Sequence, residues 1–252
     1  MPFITLKNIN TYYLEKGKGQ AIICLLGWGQ DTRMFEPTCE HLSVSFNVFV
    51  IDFPGFGKSE LMESSWGVDD YVEFLDAFVQ QKNLSNPILI AHSFGARVAL
   101  KYAINHPVRK MILTGAAGLK PKHGLGYYTK VYTYKAAKQV FKLPVLKNYK
   151  ETVLSHFGSS DYKAIKGVLK ESFVKIVNED LRELLPKISV STLLIWGEND
   201  DATPLWMGKV MEKQMQDAGL VIFEKDGHYA YWNQIDRFHN IVDVFIKEDA
   251  HG

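Results

Sequence analysis

Cysteine is scarce in this chain. Cys24 and Cys39 are the only two among 252 residues. They have no paired metal-ligand spacing, which excludes a disulfide framework and reads as free thiols in a reducing compartment. Charge of either sign is not in excess. There are 29 Lys and Arg against 28 Asp and Glu, so no global field points to nucleic acid. No apolar run approaches the ~18 residues of a membrane helix. The opening "MPFITLKNIN" lacks the basic start and apolar stretch of a secretory signal. The expected location is cytoplasmic. There is no His-Glu-x-x-His or Cys-x-x-Cys, so no metal is expected, and no cofactor motif stands out. The Gly57-Lys58-Ser59 triplet lacks the earlier glycine that a phosphate loop needs.

What is present is alternation. Short apolar runs occur at Phe3–Leu6, Tyr12–Glu15, Ile22–Leu26, Val48–Asp52, Ile88–His92, Met111–Thr114, Leu193–Trp196 and Val221–Phe223. Several are continuous, as in strands covered on both faces. Helix-like segments lie between them, at about 31–43, 68–82, 94–105, 205–216 and 234–247. Strand alternating with helix predicts an α/β chain with a mostly parallel, eight-stranded sheet flanked by helices. The first two strands have only a short link and are expected to form an antiparallel hairpin. The alternation stops between about 118 and 188, where the pattern is helical. The expected organisation is a core of residues 1–117 and 189–252, with 118–188 as an inserted helical cap. Residues 118 to 150 hold eight lysines and no Asp or Glu, interleaved with tyrosines.

The stretch "PILIAHSFGARVAL" carries the chemistry. A strand, Ile88–His92, passes at once into a helix, with Ser93 at the turn. Strand and helix backbones must run close together there, and the flanking residues are small: Ala91, Gly95 and Ala96. Such a turn exposes a hydroxyl and aims the first helical N–H groups at the same place. Serine is also a favoured helix N-cap. An isolated Ser-x-Gly would leave the two roles even, and the strand–turn–helix context favours a nucleophile.

Here the sequence resembles the α/β-hydrolase fold superfamily, in its serine esterase or acyl-hydrolase form. The elbow of that family reads small-x-Ser-x-small, and this chain has Ala91-His92-Ser93-Phe94-Gly95. The segment "VIDFPGFGKSE" also fits, at Asp52, Gly55, Gly57 and Ser59, as a structural turn. The resemblance implies a Ser93 nucleophile followed in the chain by an acid and then a histidine. By adjacency alone Asp200 and Asp201 are inseparable as the acid. The family pattern Trp-Gly-x-x-Asp-x-x-x-Pro falls on Trp196, Gly197, Asp200 and Pro204 and selects Asp200. Three histidines follow it: His228, His239 and His251. His251 is in the tail and His239 in a helical pattern, so the loop residue His228 is the expected base. His92 is expected to pack away from Ser93.

The resemblance also implies an oxyanion hole made by the backbone N–H groups of Trp28 and Phe94. Relatives have His-Gly where this chain has Leu26-Gly27, so a histidine that helps hold the loop is missing. Trp28, Phe94 and Tyr229 are expected to line the substrate pocket. The implied partner is a small-molecule acyl substrate, with no nucleic acid. Cleavage of carbon–carbon, thioester or lactone bonds, and a non-catalytic ligand-binding role, remain open alternatives.

Overall fold

The computed structural model describes residues 3–120 and 167–250. Eight strands form one sheet in the order β1-β2-β4-β3-β5-β6-β7-β8. They are β1 (Phe3–Leu6), β2 (Ile9–Lys16), β3 (Ala21–Leu25), β4 (Asn47–Ile51), β5 (Ile88–His92), β6 (Met111–Thr114), β7 (Thr192–Gly197) and β8 (Ala218–Phe223). The first two pair antiparallel, as the short link requires. Lys7 and Asn8 turn the hairpin with φ of 49° and 63°, the paired positive values of a type I′ turn. β2 also pairs antiparallel with β4, and every later pairing is parallel.

Alternate strand residues feed two cores. Ile22 and Cys24 of β3, with Ile88 and Ile90 of β5, join one cluster; Ile23, Leu25, Leu89 and Ala91 join the other. That is why these strands read as continuous apolar runs. On the first side lie α1 (Glu36–Leu42), α6 (Ala230–Asn233) and α7 (Ile235–Ile246). Phe238, Val242 and Ile246 form a stripe at four-residue spacing and bury on the sheet. On the opposite side α2 (Val68–Gln81), α3 (Phe94–Asn105) and α5 (Trp206–Gln214) bury Tyr71, Phe74, Phe78 and Met211.

Several expectations shift in detail. The segment 31–43 is not one helix. A 3-10 turn, Thr32–Met34, precedes α1, and Pro37 stands near the start of α1. Proline has no N–H to continue a helix from upstream, so the first turn must begin again there. β8 begins three residues earlier than expected, at Ala218. Within the described part of 118–188, α4 (Gly167–Val177) is helical, but "RELLPK" forms a 3-10 turn, Arg182–Lys187, with Pro186 inside it. Residues 121–166, with the tyrosines and all the lysines of the basic run except Lys120, lie outside the described residues. Among the described residues no helix is long and apolar enough to cross a membrane.

The Asp52 segment has the structural role expected of it. The Asp52 carboxylate accepts the N–H groups of Thr32 (2.7 Å) and Lys58 (2.8 Å), and Ser59 Oγ donates to Asp52 O. Two loops are thereby tied together behind β4.

Candidate active site

The register Leu25↔Ala91 sets the carboxyl ends of β3 and β5 side by side. The loop beyond β3 therefore meets the turn beyond β5. β7 and β8 end near the same edge, and their loops touch. A Cβ added at Gly197 would lie 2.1 Å from Gly227 O. Glycine at 197 lets the loop holding Asp200 close on the loop holding His228.

Ser93 has φ 49° and ψ −107°. This is a strained conformation for a residue with a side chain, of the kind kept only where surroundings impose it. Here the surroundings are hydrogen bonds. Ser93 N–H donates to Thr114 O at 3.1 Å, and Ser93 O accepts from Ala117 N at 3.1 Å and Ala96 N at 3.2 Å. Gly95 is required by contact, since a Cβ there would sit 2.3 Å from Leu25 O. The Ser93 side chain makes no capping hydrogen bond to α3, so it is not spent on an N-cap.

Its hydroxyl lies 3.0 Å from His228 Nε2 instead. His228 Nδ1 is 2.8 Å from Asp200 Oδ2. An ionised carboxylate only accepts, so Nδ1 carries the ring proton and Nε2 faces Ser93 as an acceptor. Asp200 is held from the other side as well. Its Oδ1 accepts from Ala202 N (3.0 Å) and Thr203 N (2.8 Å). Thr203 Oγ1 lies 2.8 Å from Asp200 Oδ2 and 2.9 Å from Gly115 O. Burial pushes the Asp200 carboxyl up, but the hydrogen bond and charge of His228 and the bonds from Thr203 outweigh it and hold it below the usual carboxylate range. Asp201, its neighbour in sequence, is exposed. Asp200 is thus the turn-forming aspartate and the partner of His228 at once.

The remaining histidines separate by place. His239 stacks on His41 at 4.2 Å, between α1 and α7, and Nε2 meets Thr38 Oγ1. His251 is outside the described residues. His92 is fully buried and packs on Tyr231 and on His228 itself, with both ring centroids 4.7 Å away. Burial first, and the charge of His228 second, push its pKa down to about 3. It stays neutral, and Nδ1–H donates to Thr114 O at 3.0 Å.

Among the described residues, neither Trp28 N–H nor Phe94 N–H donates to a protein acceptor. Phe94 is the first residue of α3, whose leading N–H groups have no intrahelical partner. The loop of Trp28 is fastened by a residue that the sequence did not single out. Gly27 N–H donates to Gln30 Oε1 at 2.8 Å, and Gln30 N–H donates to Gly27 O at 3.2 Å. Gln30 supplies the tether that the missing histidine would have given. Its only signal in the sequence is a polar residue three positions after Gly27. Thr203 was likewise legible only as the third residue after Asp200, the position an Asx turn reaches.

A cavity of about 790 Å³ opens over Ser93 and His228. Trp28, Phe94 and Tyr229 are among its lining residues, and Phe173 of α4 joins them. Trp28 packs on Phe94 (5.3 Å) and Phe56 (4.8 Å). Arg97, which the sequence reading passed over, lines it too. Among the described residues no cluster of His, Cys, Asp or Glu is arranged to hold a metal ion.

Comparison with known proteins agrees with this architecture. A 2-hydroxy-6-oxononadienedioate/2-hydroxy-6-oxononatrienedioate hydrolase from Escherichia coli is 26% identical over 271 residues, covering 95% of this chain and 92% of its own. An esterase from Exiguobacterium antarcticum superposes with a TM-score of 0.76 at 26% identity, covering 97% of this chain and 98% of that one. A meta-cleavage product hydrolase superposes with a TM-score of 0.75 at 20% identity, over 98% and 97% of the two chains, a likeness of fold. The family model for the alpha/beta hydrolase fold matches residues 20–234. With the match spanning the sheet from β3 through the loop of His228, this chain belongs to the alpha/beta hydrolase fold family.

Proposed function

We propose that the chain is a serine hydrolase that cleaves a carboxylic ester or related acyl substrate through an acyl-enzyme. The observation that carries this reading is the chain of contacts Ser93 Oγ–His228 Nε2–Asp200 Oδ2, at 3.0 and 2.8 Å, on the floor of a cavity. Ser93 Oγ attacks the carbonyl carbon as its proton passes to His228 Nε2. Asp200, ionised and buried, holds the ring in the required tautomer and stabilises the imidazolium that forms. The carbonyl oxygen becomes an oxyanion and accepts from the N–H groups of Trp28 and Phe94. Donors in such a place are each worth ~10²–10³ in rate. Collapse expels the alcohol, which takes the proton from His228. Water then attacks the acyl-serine as His228 takes its proton, and on collapse His228 returns that proton to Ser93 Oγ as the acid leaves.

The segment 118–188 acts as a cap over the cleft. Its described part is in keeping with that, because Phe173, Ile176 and Val177 of α4 face the cavity. The substrate is a small molecule, and a reducing, cytoplasmic setting suits two buried free thiols. A second reading is hydrolysis of a carbon–carbon bond on the same three residues. It is favoured by the name of the Escherichia coli relative, a hydrolase of oxo-dienedioates. Turnover of p-nitrophenyl esters of graded chain length, measured beside a 2-hydroxy-6-oxo-dienoate, tests both. Ester cleavage lost on Ser93→Ala supports the first reading. Cleavage of the dienoate alone replaces it by the second.

A further inference from the structure

Arg97 sits one turn beyond Ser93 on α3, about 6 Å along the axis. It is a charged side chain that is only 6% exposed, and what is exposed of it faces the cavity. Helical side chains lean toward the N-terminal end, which for Arg97 is the end of Ser93. Guanidinium carries five N–H donors. One group is used: Nη1 donates to Glu179 O at 2.8 Å. Among the described residues no other acceptor meets Arg97, and no carboxylate lies within ion-pair distance of it. The nearby acids are committed elsewhere. The Glu179 carboxylate pairs with Lys101, which also holds Asp69 at 2.6 Å, and Asp180 accepts from Arg182 N–H. Burial pushes the guanidinium down to about 10, so it stays charged at neutral pH.

A buried cation with most of its donors unused is costly unless something completes it. Arg97 lines the cavity over Ser93, and it is the one Lys or Arg among the described lining residues. The lining carboxylate, Asp201, is exposed, where water screens it. The planar fork of a guanidinium matches a carboxylate with two parallel hydrogen bonds.

Resting on the hydrolase reading above, we infer that Arg97 determines specificity by binding a carboxylate on the acyl part of the substrate, away from the bond that is cut. The preferred substrates are then monoesters, or equivalent acyl derivatives, of short dicarboxylic acids. Arg97 binds the far end while Ser93 attacks the near one.

The experiment compares kcat/KM for mono-p-nitrophenyl glutarate with that for its neutral counterpart, the mixed methyl p-nitrophenyl glutarate. The wild type is expected to favour the anionic ester. Arg97→Gln should lower the ratio of anionic to neutral kcat/KM by about 100-fold, and Arg97→Lys by about 10-fold, since charge remains but the fork is lost. The loss should appear mainly in KM. The ratio is internal to each preparation, so a variant that folds incompletely does not shift it. A ratio that stays within about twofold in both variants overturns the inference and leaves Arg97 as a tie between α3 and Glu179. So does a wild type that prefers the neutral ester. If the wild type cleaves neither ester, the ester-hydrolase reading has failed separately. Calorimetric titration with glutarate then decides this inference: weaker binding to Arg97→Gln than to wild type upholds it, and equal binding or none to either overturns it.

Discussion

Replacing Asp200 by Asn would keep the side chain's shape and remove its charge, and the structure dictates which way the amide must turn. Oδ1 accepts two backbone N–H groups, from Ala202 and Thr203. Only the amide oxygen can stay there. The NH₂ is forced into the place of Oδ2, facing His228 Nδ1 and Thr203 Oγ1, 2.8 Å from each. It can donate to Nδ1 only if that nitrogen is bare, so the ring proton moves to Nε2. Nε2–H then points at Ser93 Oγ and cannot take its proton. A wrong tautomer of this kind costs ~10⁴ in kcat, or about 5 kcal/mol in the barrier. Asp201→Asn changes an exposed carboxylate and should alter kcat by less than about threefold. The assay is p-nitrophenyl butyrate hydrolysis by both variants, with circular dichroism melts to show that they fold. A larger loss in Asp201→Asn, or an Asp200→Asn enzyme within tenfold of wild type, would refute the reasoning.

Three further outcomes follow from particular contacts. Ser93→Gly should abolish turnover yet melt a few degrees higher than wild type. It releases ~1–3 kcal/mol of backbone strain against ~0.5–1 kcal/mol of lost chain entropy, and a lower melting temperature would show that φ 49° is not strained. Gln30→Ala removes the tether of the Trp28 loop and should lower kcat about tenfold with little change in KM, because the N–H it positions acts on the oxyanion; a KM effect alone would make Gln30 a pocket residue. Asp249 tests the pH dependence of stability. Burial raises its carboxyl, but the hydrogen bonds from Lys110 and Arg109, and then their charges, outweigh that and hold it below the usual range. An acid with a lowered folded pKa contributes stability above its unfolded pKa, about 3.9, and loses it as pH falls through the folded value. The melting-temperature gap between wild type and Asp249→Asn should therefore be full near neutrality and close below about pH 4, and a gap independent of pH would contradict it.

The parallel strands were legible because burial on both faces leaves continuous apolar runs, as in "AIICL" and "ILIA". β2 reads less clearly. It is a part-exposed strand near the sheet edge, and only its middle stood out, although it runs from Ile9 to Lys16. Ser93 was legible because a turn that lifts a side chain also needs small neighbours, and Gly95 against Leu25 O shows the contact that demands them. Asp200 and Asp201 could not be told apart by adjacency. What separates them is burial and the direction of one loop, which depend on Gly197 meeting Gly227 from another part of the chain. Gln30 and Arg97 were missed for a related reason. A glutamine after a glycine and an arginine in a helix are ordinary surface residues in sequence. Their roles exist only once β3 and β5 lie side by side and α3 is covered by the segment around Glu179.

The claim at the centre is that Ser93 is an activated nucleophile. Treatment with a fluorophosphonate, followed by peptide mass spectrometry, tests it most directly. The account predicts one covalent adduct per chain, on Ser93, that is absent in Ser93→Ala and forms far more slowly in His228→Gln. An unlabelled wild-type protein, an adduct on another residue, or labelling of Ser93 at the same rate without His228 would contradict it.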